Sequence, residues 1–249
     1  MTKDELRQRL EFYQDLGVKT IYRRGISQRA ASPDPQPPIP SAAPQPPPPV
    51  VSLPTLEPAQ ESLLQILADI GDCTRCRLHE ARNKIVFGSG NEQSKLVFVG
   101  EGPGADEDDQ GLPFVGRAGQ LLTQMIEGTA SKEGIPIKRP DVYICNVVKC
   151  RPPENRTPQP DEMEICGQFL SRQIQAIKPK AICALGSTAA KALLGTKQGV
   201  MALRGKWHKW RDIPVMVTYH PSYLLRPYNQ NAKKEAWEDL KKVLHYVYD

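Results

Sequence analysis

The sequence predicts an α/β protein of three layers, α/β/α, in which helices cover both faces of a central, mostly parallel, four-stranded sheet. Short and almost continuous apolar runs alternate along the chain with longer segments of helical periodicity. Apolar runs of this kind are typical of parallel strands that are buried on both faces. The predicted strands are at residues 96–99, 142–148, 181–185 and 214–218.

Several segments around these strands have the 3.6-residue period of amphipathic helices. In the first, residues 59–70, we expect Leu63, Leu67 and Ile70 on the buried face. The others are residues 118–126, residues 160–177, a segment through Ala189 and Leu194, and a terminal helix with an apolar face of residues 236, 237, 240, 243, 244 and 247. In such sheets ligands bind beyond the carboxyl ends of the strands, so the residues after each strand are the candidates for a site.

The predicted folded domain occupies residues 59–249, and two segments precede it. Residues 1–30 form a predicted helical arm, with Leu6, Leu10 and Tyr13 on one face; it is either a free extension or a docking helix for a protein partner. Residues 31–58 contain 12 of the 24 prolines. Because proline lacks an amide donor, this segment is expected to be a disordered, partly polyproline-II linker, either a spacer or a ligand for an SH3-like partner.

Composition limits the classes of function only broadly. Hydrophobic residues make up 39% of the chain, and the net charge of +5 is compatible with a polyanionic partner without indicating one. No apolar run is long enough to span a membrane, and the charged first residues do not resemble a signal peptide. We therefore expect a cytoplasmic, monomeric protein whose six cysteines do not form structural disulfides.

The loop after the first strand has an unusual composition. Residues 100–104 read Gly-Glu-Gly-Pro-Gly, followed by Glu107 among other acids, and Phe114 lies between Pro113 and Gly116. Glycines let backbone amides approach a ligand closely, and crowded carboxylates favour acid–base chemistry. The same composition also suits a simple surface turn with solvated acids.

Polar residues also follow the second and fourth strands. Asn146 carries both donors and an acceptor, which match the edge of a nucleobase, although an Asn at a strand end can also cap its own turn. His220 could stabilise negative charge on a leaving group, or could cap the start of a helix. Beyond it, Ser222 could contact a phosphate, and Leu224 or Leu225 could enter a base stack.

Four of the six cysteines have the spacing of a metal site. Cys73 and Cys76 form a CxxC motif, and Cys150 and Cys166 supply a second pair. Four thiolates suit either a tetrahedral zinc ion or a [4Fe–4S] cluster. Cys145 and Cys183 lie inside predicted strands, where we expect small buried hydrophobic side chains.

These motifs together resemble those of the family 4 uracil-DNA glycosylases, the iron–sulfur branch of that superfamily. The resemblance spans roughly residues 62–247 and includes the CxxC motif, residues 100–104, residues 111–119, residues 146–153, Cys166 and residues 220–222. It implies a uracil-DNA glycosylase that starts base excision repair on single- or double-stranded DNA.

The resemblance also implies roles for individual residues. A [4Fe–4S] cluster would bind Cys73, Cys76, Cys150 and Cys166. Flipped-out uracil would contact the backbone of Glu101, Gly102 and Pro103, stack on Phe114, and be read by Asn146 and His220. The expected DNA contacts are Arg117, Ser222, Leu224 and Arg226.

The expected reaction is monofunctional hydrolysis of the N-glycosidic bond. His220 and backbone amides would stabilise the uracil anion, and Glu101 and Glu107 are both candidates for activating water. A related branch uses a His in a basic loop to bond covalently to DNA, but residues 151–158 contain no His, which disfavours that reaction. The alternative function is a non-catalytic iron–sulfur or zinc DNA-binding module.

Overall fold

The structure is a computed structural model that describes residues 61–226 and 229–249, together with Lys3. The predicted helical arm (residues 1–30, Lys3 apart) and the Pro-rich linker (residues 31–58) lie outside the described residues. No helix of the described chain has the length and apolar character needed to cross a membrane.

The described strands form one sheet in the order β1-β3-β2-β4-β6-β5. They are β1 (Ser89–Gly90), β2 (Leu96–Gly100), β3 (Tyr143–Asn146), β4 (Ala181–Leu185), β5 (Trp207–Trp210) and β6 (Ile213–Thr218). The central strands β3, β2, β4 and β6 are parallel, and they are the four predicted strands. The fold class is confirmed, but the sheet has six strands rather than four, because β1 and β5 add antiparallel pairs at the two edges.

The α-helices of the described chain connect these strands and cover the sheet. They are α1 (Leu63–Ile70), α2 (Ala105–Gln110), α3 (Arg117–Lys132), α4 (Pro160–Ile177), α5 (Gly186–Leu194), α6 (Val200–Leu203), α7 (Pro221–Leu224) and α8 (Gln230–Tyr248). Ser62 caps α1 in a reciprocal capping box with Gln65. Gly111 and Gly195 end α2 and α5 in the left-handed conformation.

Alternate side chains of each central strand enter two separate apolar cores, as the period of two in a strand requires. Val97 and Val99 of β2 face a core that includes residues of α1, α4 and α5. Leu96 and Phe98 face the other core, which includes residues of α3 and α8. Helices therefore cover both faces of the sheet, and the three-layer prediction is confirmed.

The buried face of α1 differs from the predicted one. Leu63, Ile66 and Ile70 are buried, whereas Leu67 is 44% exposed. The apolar run Leu-Leu-Gln-Ile-Leu provides two overlapping stripes, and packing against α4 selects the one that contains Ile66.

Candidate active site

A pocket of about 350 Å³ lies at the carboxyl ends of the four parallel strands. Its wall contains every residue predicted to bind uracil or to act in catalysis, and one predicted DNA contact: Glu101, Gly102, Pro103, Glu107, Phe114, Asn146, His220 and Ser222. These residues follow β2, β3 and β6, which are adjacent or nearly adjacent in the sheet. The strand-end rule therefore identified the correct edge of the sheet.

Gly100 allows two pocket side chains to approach the end of β2. A Cβ atom at this position would lie 2.4 Å from Asn146 Oδ1 and 2.5 Å from Phe114 Cζ, distances that no side chain tolerates. The Asn146 amide and the Phe114 ring therefore occupy the space that a larger residue at position 100 would fill. Substitution of this glycine would displace both.

Phe114 is held in an uncommon backbone conformation, with φ of 54°. The Arg139 guanidinium fixes the preceding residue: its Nη2 donates to the Pro113 carbonyl (2.7 Å), and its Nη1 donates to Thr123 Oγ1 (2.9 Å). The Phe114 ring is 6% exposed and lies 5.6 Å from the His220 ring, centroid to centroid. Two rings thus flank one part of the pocket.

Asn146, the last residue of β3, is buried in the pocket wall with 1% exposure. Its Oδ1 atom has no hydrogen-bond partner, although a buried carbonyl oxygen normally has one. The side chain does not use this oxygen to cap its own turn. An unpaired acceptor at a pocket wall is suited to a ligand that brings an N–H group.

Glu107 organises the loop that carries Phe114. Its Oε1 atom accepts hydrogen bonds from the backbone N–H groups of Val115 and Gly116 (2.9 Å each), and its Oε2 atom accepts one from Gly104 (3.1 Å). Both oxygens are therefore already engaged by backbone donors. The Glu107 carboxylate therefore joins Gly104 at one end of this loop to Val115 and Gly116 at the other.

Glu101 has fewer ties to the protein. Its carboxylate accepts a short hydrogen bond from Thr188 Oγ1, the single bond that we identify for this side chain in the described chain. It lines the pocket and is only partly buried. Of the two carboxylates, Glu101 retains more free acceptor capacity for a water molecule.

His220 is the N-cap of α7, and the backbone N–H of Ser222 donates to its Nδ1 atom (3.2 Å). Nδ1 must then be unprotonated, which assigns the proton of the neutral ring to Nε2. Burial lowers the pKa of His220 to about 4, with a smaller opposing effect from the Glu107 carboxylate. At neutral pH the ring is therefore an uncharged Nε2–H donor. His220 therefore caps a helix, as one interpretation predicts, and it also lines the pocket, while its role towards a leaving group stays a prediction.

The predicted DNA contacts differ in their access to solvent. Arg117, Ser222 and Arg226 are exposed, and Ser222 lines the pocket. Leu224, in contrast, is 1% exposed and packs in a small core with Tyr219 and helix α8. The prediction of a DNA contact by Leu224 is not supported in this conformation, whereas Leu225 is partly exposed.

The four predicted metal ligands converge on one apolar core. Cys150 and Cys166 are buried there, and Cys73 and Cys76 pack against it. Burial raises the pKa of Cys166, and the neighbouring Cys76 and Cys73 add to that rise. In the part of the chain that the structure describes, no group of three or more His, Cys, Asp or Glu side chains is arranged tightly enough to hold a metal ion.

Hydrogen bonds to two of these thiols oppose the effect of burial, which raises the pKa of both Cys150 and Cys166. Arg82 Nη1 donates to Cys150 Sγ (3.4 Å) and to the Cys73 carbonyl (2.6 Å). The backbone N–H of Lys149 donates to Cys166 Sγ (3.2 Å). Such N–H···S contacts stabilise thiolates, which are the form that binds metals. The donor chemistry therefore fits a four-thiolate site.

Comparison with known proteins agrees with this geometry. The family model described as "Uracil DNA glycosylase superfamily" matches residues 87–241, more than half of the chain. The chain belongs to the uracil-DNA glycosylase superfamily. The resemblance found in the sequence motifs is thereby confirmed.

Within this superfamily, the type-4 members are highly similar to the chain. The type-4 uracil-DNA glycosylase of Thermotoga maritima is 45% identical over 191 residues, 76% of this chain and 96% of the relative. That of Archaeoglobus fulgidus is 42% identical, over 74% of this chain and 92% of the relative. A type-5 uracil-DNA glycosylase of Pyrobaculum aerophilum is 30% identical, over 62% of this chain and 71% of the relative.

This superfamily member also has pocket residues that the sequence reasoning missed. Gly186 and Ser187 follow β4 and line the pocket, and Thr188 donates to Glu101. Pro152 and Asn155 line it from the loop before α4. The strand-end rule applied to residues 181–185 would have found the first three, because they directly follow that predicted strand.

Proposed function

We propose that this protein is a monofunctional uracil-DNA glycosylase that hydrolyses the N-glycosidic bond of deoxyuridine flipped out of DNA, the step that starts base excision repair. The observation that carries the proposal is the unpaired, buried Oδ1 atom of Asn146 in a pocket at the strand ends. Relatives named type-4 uracil-DNA glycosylases, at 40–45% identity, support the same activity.

Base recognition falls to Asn146. Uracil presents an N–H group between two carbonyl oxygens. The Oδ1 atom would accept from the N–H group, and the Nδ2 group would donate to a neighbouring carbonyl. Cytosine has no N–H at that ring position, so Asn146 Oδ1 would stay buried and unpaired, which is unfavourable. Phe114 would support the face of the ring, and the backbone of residues 101–103 would bound its edge.

Leaving-group stabilisation falls to His220. As the bond between sugar and base breaks, negative charge develops on uracil and positive charge on the sugar. The neutral ring offers an Nε2–H group to the developing anion, and Ser222 holds the tautomer that makes this possible. The low pKa of about 4 keeps the ring in this form at neutral pH.

Water activation is assigned to Glu101 rather than Glu107. Three backbone N–H groups already engage Glu107, so its role is to hold the loop. The Glu101 carboxylate has one identified partner and could also accept a hydrogen bond from a water molecule beside the sugar. No chain residue forms a covalent intermediate in this scheme, so the DNA backbone stays intact.

The cofactor of this proposal is a [4Fe–4S] cluster on Cys73, Cys76, Cys150 and Cys166. Four thiolates suit either a tetrahedral zinc ion or such a cluster, and the resemblance to the iron–sulfur branch of the superfamily favours the cluster. Its contribution would be structural, joining the segment after α1 to the loop after β3 and to α4.

DNA would approach the rim of the pocket, where Arg117, Ser222 and Arg226 could meet phosphates and the half-buried Leu225 could contact bases. A cytoplasmic location, a monomeric state and a protein partner for the N-terminal arm stay predictions.

The experiment that tests the proposal is product analysis with purified, iron-containing protein. A uracil-containing oligonucleotide should yield free uracil and a strand that breaks only after alkali treatment. The same oligonucleotide with thymine in place of uracil should be unchanged. Binding to DNA without uracil release would indicate the non-catalytic module, and strand breakage without alkali would contradict the monofunctional mechanism.

A further inference from the structure

Lys149 is a lysine that the proposed reaction does not use, and it is completely buried (0% exposed). Lysine is almost never fully buried unless its charge is compensated. Its Nζ atom donates to the Asn146 carbonyl (2.7 Å) and to Gln173 Oε1 (2.6 Å). These two hydrogen bonds satisfy the Nζ atom with acceptors of the protein core.

The same residue also contacts the cysteine site. The backbone N–H of Lys149 donates to Cys166 Sγ, and Cys150 is the next residue. Arg82 also contacts this site, because it donates to Cys150 Sγ.

Lys149 therefore contacts both the cysteine site and the residue that lines the pocket. At one end its ammonium holds the carbonyl of Asn146, whose side chain lines the pocket. The backbone after Asn146 is held from the opposite side by β2, because Val147 N–H donates to Gly100 and Val148 N–H donates to Glu101. Gln173 keeps the ammonium in place and is itself bonded through Nε2 to the Phe87 carbonyl (3.0 Å).

We propose that Lys149 is a positioning residue that couples the four-cysteine site to base recognition by fixing the backbone of Asn146. This inference rests on the proposed function, in which Asn146 reads uracil. The backbone N–H of Lys149 is fixed at Cys166 Sγ, and its Nζ atom holds the Asn146 carbonyl, which keeps the Asn146 amide in register with the base edge. The cysteine site thus acts on the pocket without contacting the substrate.

The test compares Lys149→Met, which keeps the aliphatic length and removes the ammonium, with Arg82→Met. The Arg82 variant also removes a cation beside the cysteines but touches nothing that holds Asn146. For each purified protein we would measure iron per chain, visible absorbance, thermal midpoint, the Kd for free uracil, and kcat and KM on uracil-containing DNA. The Kd and KM of each variant are measured on its iron-loaded fraction.

We expect Lys149→Met to weaken uracil binding and raise KM by about tenfold or more, because a hydrogen bond from a charged donor is lost at the base-reading residue. Any release of cytosine from DNA should not fall in parallel, so discrimination between the bases decreases. Arg82→Met should leave the uracil Kd of its iron-loaded fraction within twofold of the wild type, even where its iron content falls.

Two results would overturn the inference. In the first, Lys149→Met retains iron and binds uracil within twofold of the wild type. In the second, it loses iron and stability while its iron-loaded fraction still binds uracil normally, which would make Lys149 a purely structural residue.

If Lys149→Met does not fold, Lys149→Gln replaces it, because the amide can still donate inside the core. We expect a smaller loss of uracil affinity there, about threefold, and an unchanged Kd would again overturn the inference. The wild-type control separates the two hypotheses. If wild-type protein binds uracil but releases none from DNA, the proposed function fails, whereas the Kd comparison among variants still tests Lys149.

Discussion

The pocket and the four-cysteine site lie close together along the chain but differ in how fully their polar atoms are bonded. In the pocket, Asn146 Oδ1 has no partner and Glu101 has one. Around the cysteines, Arg82 and the Lys149 N–H group donate to sulfur atoms, and buried side chains surround them. In the pocket an unpaired oxygen is available to a ligand, whereas at the cysteine site two sulfur atoms already accept hydrogen bonds from the protein.

The same contrast separates the two carboxylates of the pocket loop. In the sequence, Glu101 and Glu107 are acids of the same loop, and both are equally good candidates for activating water. The structure gives Glu107 three backbone donors and Glu101 a single hydroxyl donor. Proximity to a pocket therefore does not distinguish a reacting group from a supporting one, but the hydrogen bonds of each group do.

The largest expected effect follows substitution of the unpaired amide. Asn146→Ala should lower kcat/KM on uracil-containing DNA by about 10³-fold. The reason is that the variant loses the hydrogen bonds by which the site holds the base. Asn231→Ala, on the exposed surface of α8, is the matched control and should be neutral. A loss of less than tenfold for Asn146→Ala would mean that another group reads the base.

His220→Ala should lower kcat by about 10²- to 10³-fold, the usual effect of removing one preorganised donor to a developing anion. KM should change much less, because the interaction strengthens mainly in the transition state. His245→Gln serves as the control for loss of an imidazole, because His245 is a half-buried residue of α8 that is bonded to Glu133 and Asp249 and does not line the pocket. An increase in KM of the same size, with kcat unchanged, would mean that His220 contributes to ground-state binding of the substrate instead.

The pH profile distinguishes a neutral donor from a charged one. With a pKa of about 4, His220 stays uncharged from pH 5 to 8, so its protonation should produce no inflection in kcat over that range. An inflection near pH 6.5 that disappears in His220→Gln would show that the ring titrates normally. The burial that lowers the pKa would then be incomplete when DNA is bound.

Substitutions of the two pocket carboxylates, Glu101 and Glu107, should have different effects on activity and stability. Glu101→Gln should reduce kcat by about 10- to 10²-fold with little change in the thermal midpoint, as expected for a group that orients or activates water. Glu107→Gln should mainly lower the free energy of unfolding, by about 1–3 kcal/mol, because charged acceptors for backbone N–H groups are lost. The reverse pattern, with kcat affected by Glu107 alone, would exchange the two roles.

The smallest effect is expected at the rim. Arg117→Ala should weaken DNA binding a few-fold and reduce the slope of log K against log salt by about 0.9, the value for one phosphate contact. Lys178→Ala is the control, because Lys178 is exposed at the end of α4 that precedes β4, at the opposite edge of the sheet. An unchanged salt slope for Arg117→Ala would place the DNA path elsewhere.

The sequence predicted the central layers well and the edges poorly. Strands β2, β3, β4 and β6 are nearly continuous apolar runs, a pattern that is typical of parallel strands buried on both faces. Strand β1 has two residues, and β5 alternates exposed and half-buried side chains, so neither gives an apolar signal. Short edge strands are specified by pairing with a neighbour more than by their own residues.

The candidate site shows the same limits. Motif spacing was sufficient to collect the pocket residues, because parallel strand ends meet at one edge. Spacing could not show that Leu224 packs inward while Leu225 does not, since this depends on how α7 meets α8. Nor could it show that Lys149 is buried, because a single lysine beside a cysteine has no distinguishing pattern.

The proposed activity is measured most directly as uracil release by the iron-loaded protein from U:G duplex, U:A duplex and single-stranded DNA, quantified as free base under single-turnover conditions. We expect release from at least one of these substrates and about 10³-fold slower release by Asn146→Ala. If the wild-type protein releases no uracil from any of the three, the pocket is not a uracil-DNA glycosylase site.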